Sequence, residues 1–293
     1  MSTSSVSSQL VSQFNKHRVA VLVPGLLVLT AVPVWAKHIE KHFKVDAHPV
    51  VTIHNPNGIV TIKAWTKQEV MVMADPSSDA VEVEADQTNN RVDITTQQVS
   101  STAAPGDMRA DYQVNVPIDA DLQIHDDSGT VTIANVTGDM NIETIGAGVG
   151  MADTAGYSTV STVNGSFQCA RCAGHIEVKS ISGNIILDDI RSSDVQAQTS
   201  TGNIVFNGQF LPNGSYRLKN YSGVIEVRFS PIDSFDLSAT SLKGKVNNEA
   251  KLDPTHHSVF SHVGNTLFGA LNAGRAHLEV TSFNGTINIL KRN

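Results

Sequence analysis

Aromatic side chains are scarce in this 293-residue chain, at 5% of the total, and of its two tryptophans only Trp65 lies beyond the N-terminal apolar run. No outward aromatic ladder is visible in the pattern, so sugar stacking is not advertised, although Tyr157, Tyr216 and Tyr221 flank predicted corners. Charge is scarce too, 17% against the usual quarter. The net charge is −7 and no basic run interrupts it, which argues against nucleic acid as a partner. There are only two cysteines, too few for a disulfide framework, and no second CxxC to complete a zinc site. No GxSxG, phosphate-binding loop or dinucleotide fingerprint occurs in a strand–turn–helix setting, and no helical periodicity is present to carry one.

One long hydrophobic run is present. "KHR" at 16–18 precedes "VAVLVPGLLVLTAVPVWA" at 19–36, a positive flank followed by an apolar stretch ending on Ala36. This is the layout of a secretory signal peptide cleaved after Ala36. The alternative is an uncleaved membrane anchor, since eighteen residues just span a bilayer; that segment would then be the only membrane contact. Either way residues 37–293 are expected to be exported, to the periplasm or the cell surface of a bacterium. No Cys follows the run and the C-terminal "NILKRN" has no hydrophobic tail, so neither a lipoprotein anchor nor a sorting signal is indicated.

Beyond the run, one phrase recurs: "SISGNIIL" at 180–187, "TSTGNIVF" at 199–206, "NYSGVIEV" at 220–227 and "SFNGTINI" at 282–289. Turn glycines of this kind fall at Gly58, Gly129, Gly138, Gly165, Gly174, Gly183, Gly202, Gly223, Gly244 and Gly285. Two residues after each stands an apolar side chain, and four residues after, an apolar one again except at Asn248. Period-two alternation after a turn is a strand with one buried face. A positive φ at the corner would explain the glycine. Gly183, Gly202, Gly223 and Gly244 are spaced 19, 21 and 21 apart, and Gly285 follows 41 later, two periods on. A fixed period near twenty residues without helices predicts an all-β, parallel β-solenoid (β-helix), each coil stacked on the last; the alternative is a β-sandwich.

The expected organisation is a signal peptide at 1–36, a linker at 37–46, a strand-rich N-terminal module capping the stack at 47–118, and solenoid repeats at 119–293. The segment 97–110 reads as a loop.

"VVTIHNPNGIVTIKAW", "YQVNVPIDADLQIHDDSGTVTIANVTGDMNIETI" and the serial "SGNI" units together resemble the bacterial putative adhesin family of β-strand-repeat domains, catalogued as a domain of unknown function, over about residues 47–290. The resemblance implies an exported, envelope-associated, right-handed β-solenoid with no assigned catalytic residues.

The remaining candidates for chemistry are few. Cys169 and Cys172 sit where neighbouring repeats place core aliphatics, so they read as a buried pair or a local disulfide. His38 and His42 fall in the linker, and His256, His257 and His262 in a long connection, neither at a persuasive metal-binding spacing. Among outward positions after the glycines only Asp139, Glu177 and Glu226 are acids, and Asp126-Asp127 and Asp188-Asp189 read as solvated corners. No catalytic, cofactor or metal site is therefore assigned. The expected function is a non-enzymatic, adhesin-like scaffold or binding module whose repeated polar faces contact an envelope polymer or envelope protein. The alternatives are a periplasmic sensor or regulator docking an envelope protein, and a polysaccharide-acting β-helix enzyme.

Overall fold

The computed structural model describes residues 38–99, 108–254 and 264–292. The expected signal peptide at 1–36 and the histidines 256, 257 and 262 lie outside the described residues, as does the middle of the 97–110 loop. Among the described residues every regular element is a strand.

From residue 121 to 229 the strands alternate between two sheets as the chain advances, and successive laps pair in parallel. In one sheet Leu122, Met140, Ser158, Ile176, Val195 and Tyr216 are successive register partners. In the other, Ile133, Met151, Cys169, Leu187, Phe206 and Val227 are. Ile185 pairs directly with Ile204, as a stack of coils requires and a sandwich does not. The result is a solenoid-like stack with one continuous core. Because side chains alternate along a strand, like positions pile into columns: Ile142, Val160, Val178, Ala197 and Leu218 are all buried.

The glycines mark two corners of each lap rather than one. Gly183 and Gly202 lie at the first corner, and Gly138, Gly156 and Gly174 at the second. Positive φ explains only Gly58, Gly129, Gly174 and Gly223 among the ten expected turn glycines. At Gly138, Gly165, Gly183, Gly202, Gly244 and Gly285 the cause is close approach. A Cβ on Gly183 would stand 1.8 Å from the carbonyl oxygen of Gly165, and one on Gly202 2.0 Å from that of Gly183. Three residues before the glycine a buried hydroxyl caps the corner: Ser180 Oγ accepts from the Gly183 N–H at 2.7 Å, and Thr199 Oγ1 accepts from Gly202 while donating to the Gly183 carbonyl at 3.1 Å. These inward polar residues form their own column through the core, from Asp126 through Thr144, Thr162, Ser180, Thr199 and Asn220 to Ser282 and Ser241.

Both ends of the stack depart from chain order. The strands Ala276–Ser282 and Thr286–Lys291 lie between Ser215–Asn220/Val224–Phe229 and Phe235–Ser241/Val246–Asn248. Gly285 therefore stacks between Gly223 and Gly244, a correction to the two-period spacing read from sequence. At the other end Val50–Asn55 and Gly58–Trp65 lie between Arg91–Gln98/Ala110–Pro117 and Asp121–Asp126/Gly129–Ala134. Residues 47–118, expected to form a capping module, thus supply two coils in register with the rest together with the antiparallel strands Glu69–Pro76 and Val81–Thr88. The expected linker at 37–46 is corrected: Ile39–Lys44 is a strand paired antiparallel to Glu69–Pro76, its alternate side chains half-buried against the end of the core.

Candidate functional site

At the first corner the residue directly after each buried cap turns outward. In stack order these are Ile145, Val163, Ile181, Ser200, Tyr221, Phe283 and Leu242, each bonded by its N–H to the preceding coil. Ile145 is 51% exposed, Ile181 55% and Tyr221 57%. Period-two patterning turns inward residues into core, but a corner residue points away from both sheets: Ile145, Val163, Ile181 and Tyr221 stay exposed there, while Phe283 and Leu242 are half-buried.

Beside the ridge runs a groove. Its floor is the edge of the buried polar column, and its far wall is the outermost row of one sheet, with Glu143, Ser161, Lys179, Gln198 and Lys219 in successive laps. The groove widens at two places, about 300 Å³ beside Ile145–Ile181 and about 590 Å³ beside Tyr221 and Phe283. At the larger, the Tyr221 and Phe283 rings stack with centroids 4.7 Å apart and 7° between planes, and Lys243 Nζ lies 4.8 Å from the Phe283 centroid. The Asn220 side chain borders the same groove, is buried, and both its amide atoms lack a hydrogen-bond partner in the protein.

The residues singled out from sequence fall elsewhere. Cys169 and Cys172 are joined by a disulfide, Cα–Cα 6.1 Å, with both side chains buried in the columns of Leu187 and of Val136 and Ile190. The outward acids are separately engaged: Glu177 with Lys179 at 2.5 Å, Glu226 with Arg228 at 2.6 Å, and Asp139 accepting from the Tyr157 N–H at 3.2 Å. Asp188 accepts from Asn207, and Asp189 pairs with Arg191. His42 lies between Glu40 and Glu69, and His38 beside Asp75; those hydrogen bonds raise the pKa of both imidazoles. Among the described residues no three metal-ligating side chains gather.

Two sequence readings are corrected. Asp126 is not a solvated corner but the inward cap of its lap, fully buried, with one carboxylate oxygen unpartnered. Burial pushes its carboxyl up to about 7, against the opposing pull of the Asn55 amide and the Ser128 N–H. Tyr216, thought to flank a corner, is buried, its hydroxyl accepting from the Leu211 N–H and facing the carbonyls of Ser192 and Gln209. The ridge itself was missed, though its signal is plain in retrospect: it is the residue directly after each inward polar cap from Thr144 to Ser241.

The family described as Toastrack DUF4097 matches residues 11–290. No curated protein matches the chain. Among solved structures, a putative adhesin from Bacteroides fragilis is similar at 14% identity and TM-score 0.40, over 87% of this chain and 97% of that one. A putative adhesin from Parabacteroides merdae is similar at 9% and 0.38, over 87% and 96%. A putative cell adhesion protein from Clostridium sporogenes is similar at 11% and 0.24, over 87% and 100%.

Proposed function

The chain belongs to the Toastrack DUF4097 family, and on that premise we propose that it is a non-enzymatic, adhesin-like binding module of the bacterial cell envelope. One observation carries the reading. The first corner presents an apolar ridge, exposed among the described residues at Ile145, Val163, Ile181 and Tyr221, with a groove beside it. Exposed apolar stripes rimmed by polar residues are a feature of interaction surfaces. Repetition along the stack offers the same contact several times, which multiplies weak affinities. Against an enzyme stands the separate pairing of the outward acids.

Export by residues 1–36 is part of the proposal, and it fits the buried disulfide, a bond that persists in oxidising compartments. No helix among the described residues is long and apolar enough to cross a membrane. The coil is proposed to be right-handed, the hand that nearly all parallel crossovers adopt.

The test is cosedimentation of purified residues 37–293 with envelope fragments. Binding at micromolar concentration, lost when Ile145, Ile181 and Tyr221 are replaced together by Ser, is the expected result. No binding to envelope polymer or envelope protein overturns the reading.

A further inference from the structure

Tyr221 and Phe283 stand on adjacent coils, and their 4.7 Å separation matches the inter-strand step of about 4.8 Å. Their near-parallel planes therefore face along the stack. The far face of Phe283 is taken by the Lys243 ammonium. The far face of Tyr221 looks toward the preceding coil, where the ridge residue is Ser200, exposed and too short to cover a ring. Every other ridge position from 145 to 242 carries a larger, apolar side chain. The column of stacked groups is thus open at one step, with an aromatic face on one side of it.

The rim of that open face carries polar groups, while Ile181 stands on the ridge beyond Ser200 and apolar atoms make up most of the groove's lining. Gln198 and Lys219 form the wall, Thr199 lies below, and the Asn220 amide is unpartnered beside the same groove. A ligand that fits must be flat and apolar on one side and rich in hydrogen-bonding groups around its rim. An aromatic peptide side chain satisfies the first requirement and leaves the rim groups without partners, at a cost in desolvation. A pyranose ring satisfies both: its C–H face lies on the aromatic ring and its hydroxyls meet the rim, directly or through water. The wide part of the groove crosses four coils, three steps or roughly 14 Å, the reach of a short oligosaccharide rather than a single sugar.

This inference rests on the binding-module reading and names the ligand class of its groove. We propose that the Tyr221 face opposite Ser200 is a subsite for one pyranose ring of an extended glycan lying along the groove.

Isothermal titration calorimetry of residues 37–293 with maltotetraose, chitotetraose and tetragalacturonate tests it. At least one tetrasaccharide is expected to bind. Tyr221→Ala then weakens binding on the order of tenfold, Tyr221→Phe preserves it within about threefold, and Ser200→Leu, which covers the open face, weakens it like Tyr221→Ala. Ile232→Ala, exposed on the connection at the opposite corner, leaves saccharide binding unchanged. Both test positions are exposed, so unchanged thermal melting confirms folding. No binding by any of the three sugars overturns the proposal, as does binding indifferent to Tyr221→Ala or Ser200→Leu. If envelope fragments still bind while the sugars do not, the glycan subsite fails and the binding module stands. If neither binds, both fail.

Discussion

The carbonyl oxygen of Gly285 stands 2.0 Å from where a Cβ on Gly244 would be, and a Cβ on Gly285 would in turn stand 2.1 Å from the carbonyl oxygen of Gly223. Backbone is pressed on backbone at the first corner, and only an absent side chain permits it.

Gly183→Ala is therefore expected to destabilise by at least about 3 kcal/mol, because the opposing atom is a backbone oxygen that cannot withdraw without breaking the ladder. Gly146→Ala is the control. Its Cβ would meet nothing nearer than 3.5 Å, and its effect should be neutral or stabilising by about 0.5 kcal/mol. Urea denaturation of both variants checks the contrast.

The capping hydroxyls should be worth more than their size suggests. Thr199→Val keeps the shape but leaves the Gly202 N–H and the Gly183 carbonyl without that partner, an expected loss of about 1–3 kcal/mol by the same measurement.

Asp126 makes stability fall as pH rises. Its folded pKa, about 7, lies above the unfolded value of about 3.9. Its contribution is fully present below pH 4 and is lost as pH climbs through 7. Between pH 6 and pH 8 the wild type should lose about 1.4 kcal/mol that Asp126→Asn does not lose. His38 and His42, with raised pKa values, push in the same direction in both proteins, so the difference between the two melting curves isolates the carboxyl. A pH-independent difference would refute the assignment.

Removal of the Cys169–Cys172 bond, by Cys→Ala at both positions, should cost no more than about 2 kcal/mol on chain-entropy grounds, since the closed loop is so short. Thermal melting with and without the substitutions measures it.

Deletion of 276–293 should abolish cooperative melting, whereas deletion of 38–44 should lower the midpoint only modestly. The first removes strands with neighbours on both sides, the second a strand paired on one side only.

The stack was legible in sequence because its core is a period-two pattern after a turn, and both are local. Ile185 and Ile204 share a column as the repeat implies. The reason for the glycines was not legible at Gly183 or Gly202, because a collision with the next coil leaves no mark in the residue's own neighbours. Nor was the swapped order at either end, since Ala276–Ser282 carries the same alternation wherever it is inserted. Asp126 looked like a corner acid because the sequence does not say which of two adjacent aspartates turns inward. The ridge escaped because Tyr221 and Phe283 are 62 residues apart in the chain, one step apart in the stack, and separated in sequence by a lap that is not between them in space.

The late insertion of Ala276–Ser282 has a bearing on how the molecule is made. Until residues 276–282 have been made, Ser215–Asn220 and Phe235–Ser241 both lack the neighbour that joins them in the finished protein. The last strands supply that neighbour to both at once. A product cut before residue 276 leaves those two coils unjoined, so the final strands close a seam inside the stack and do not merely extend it.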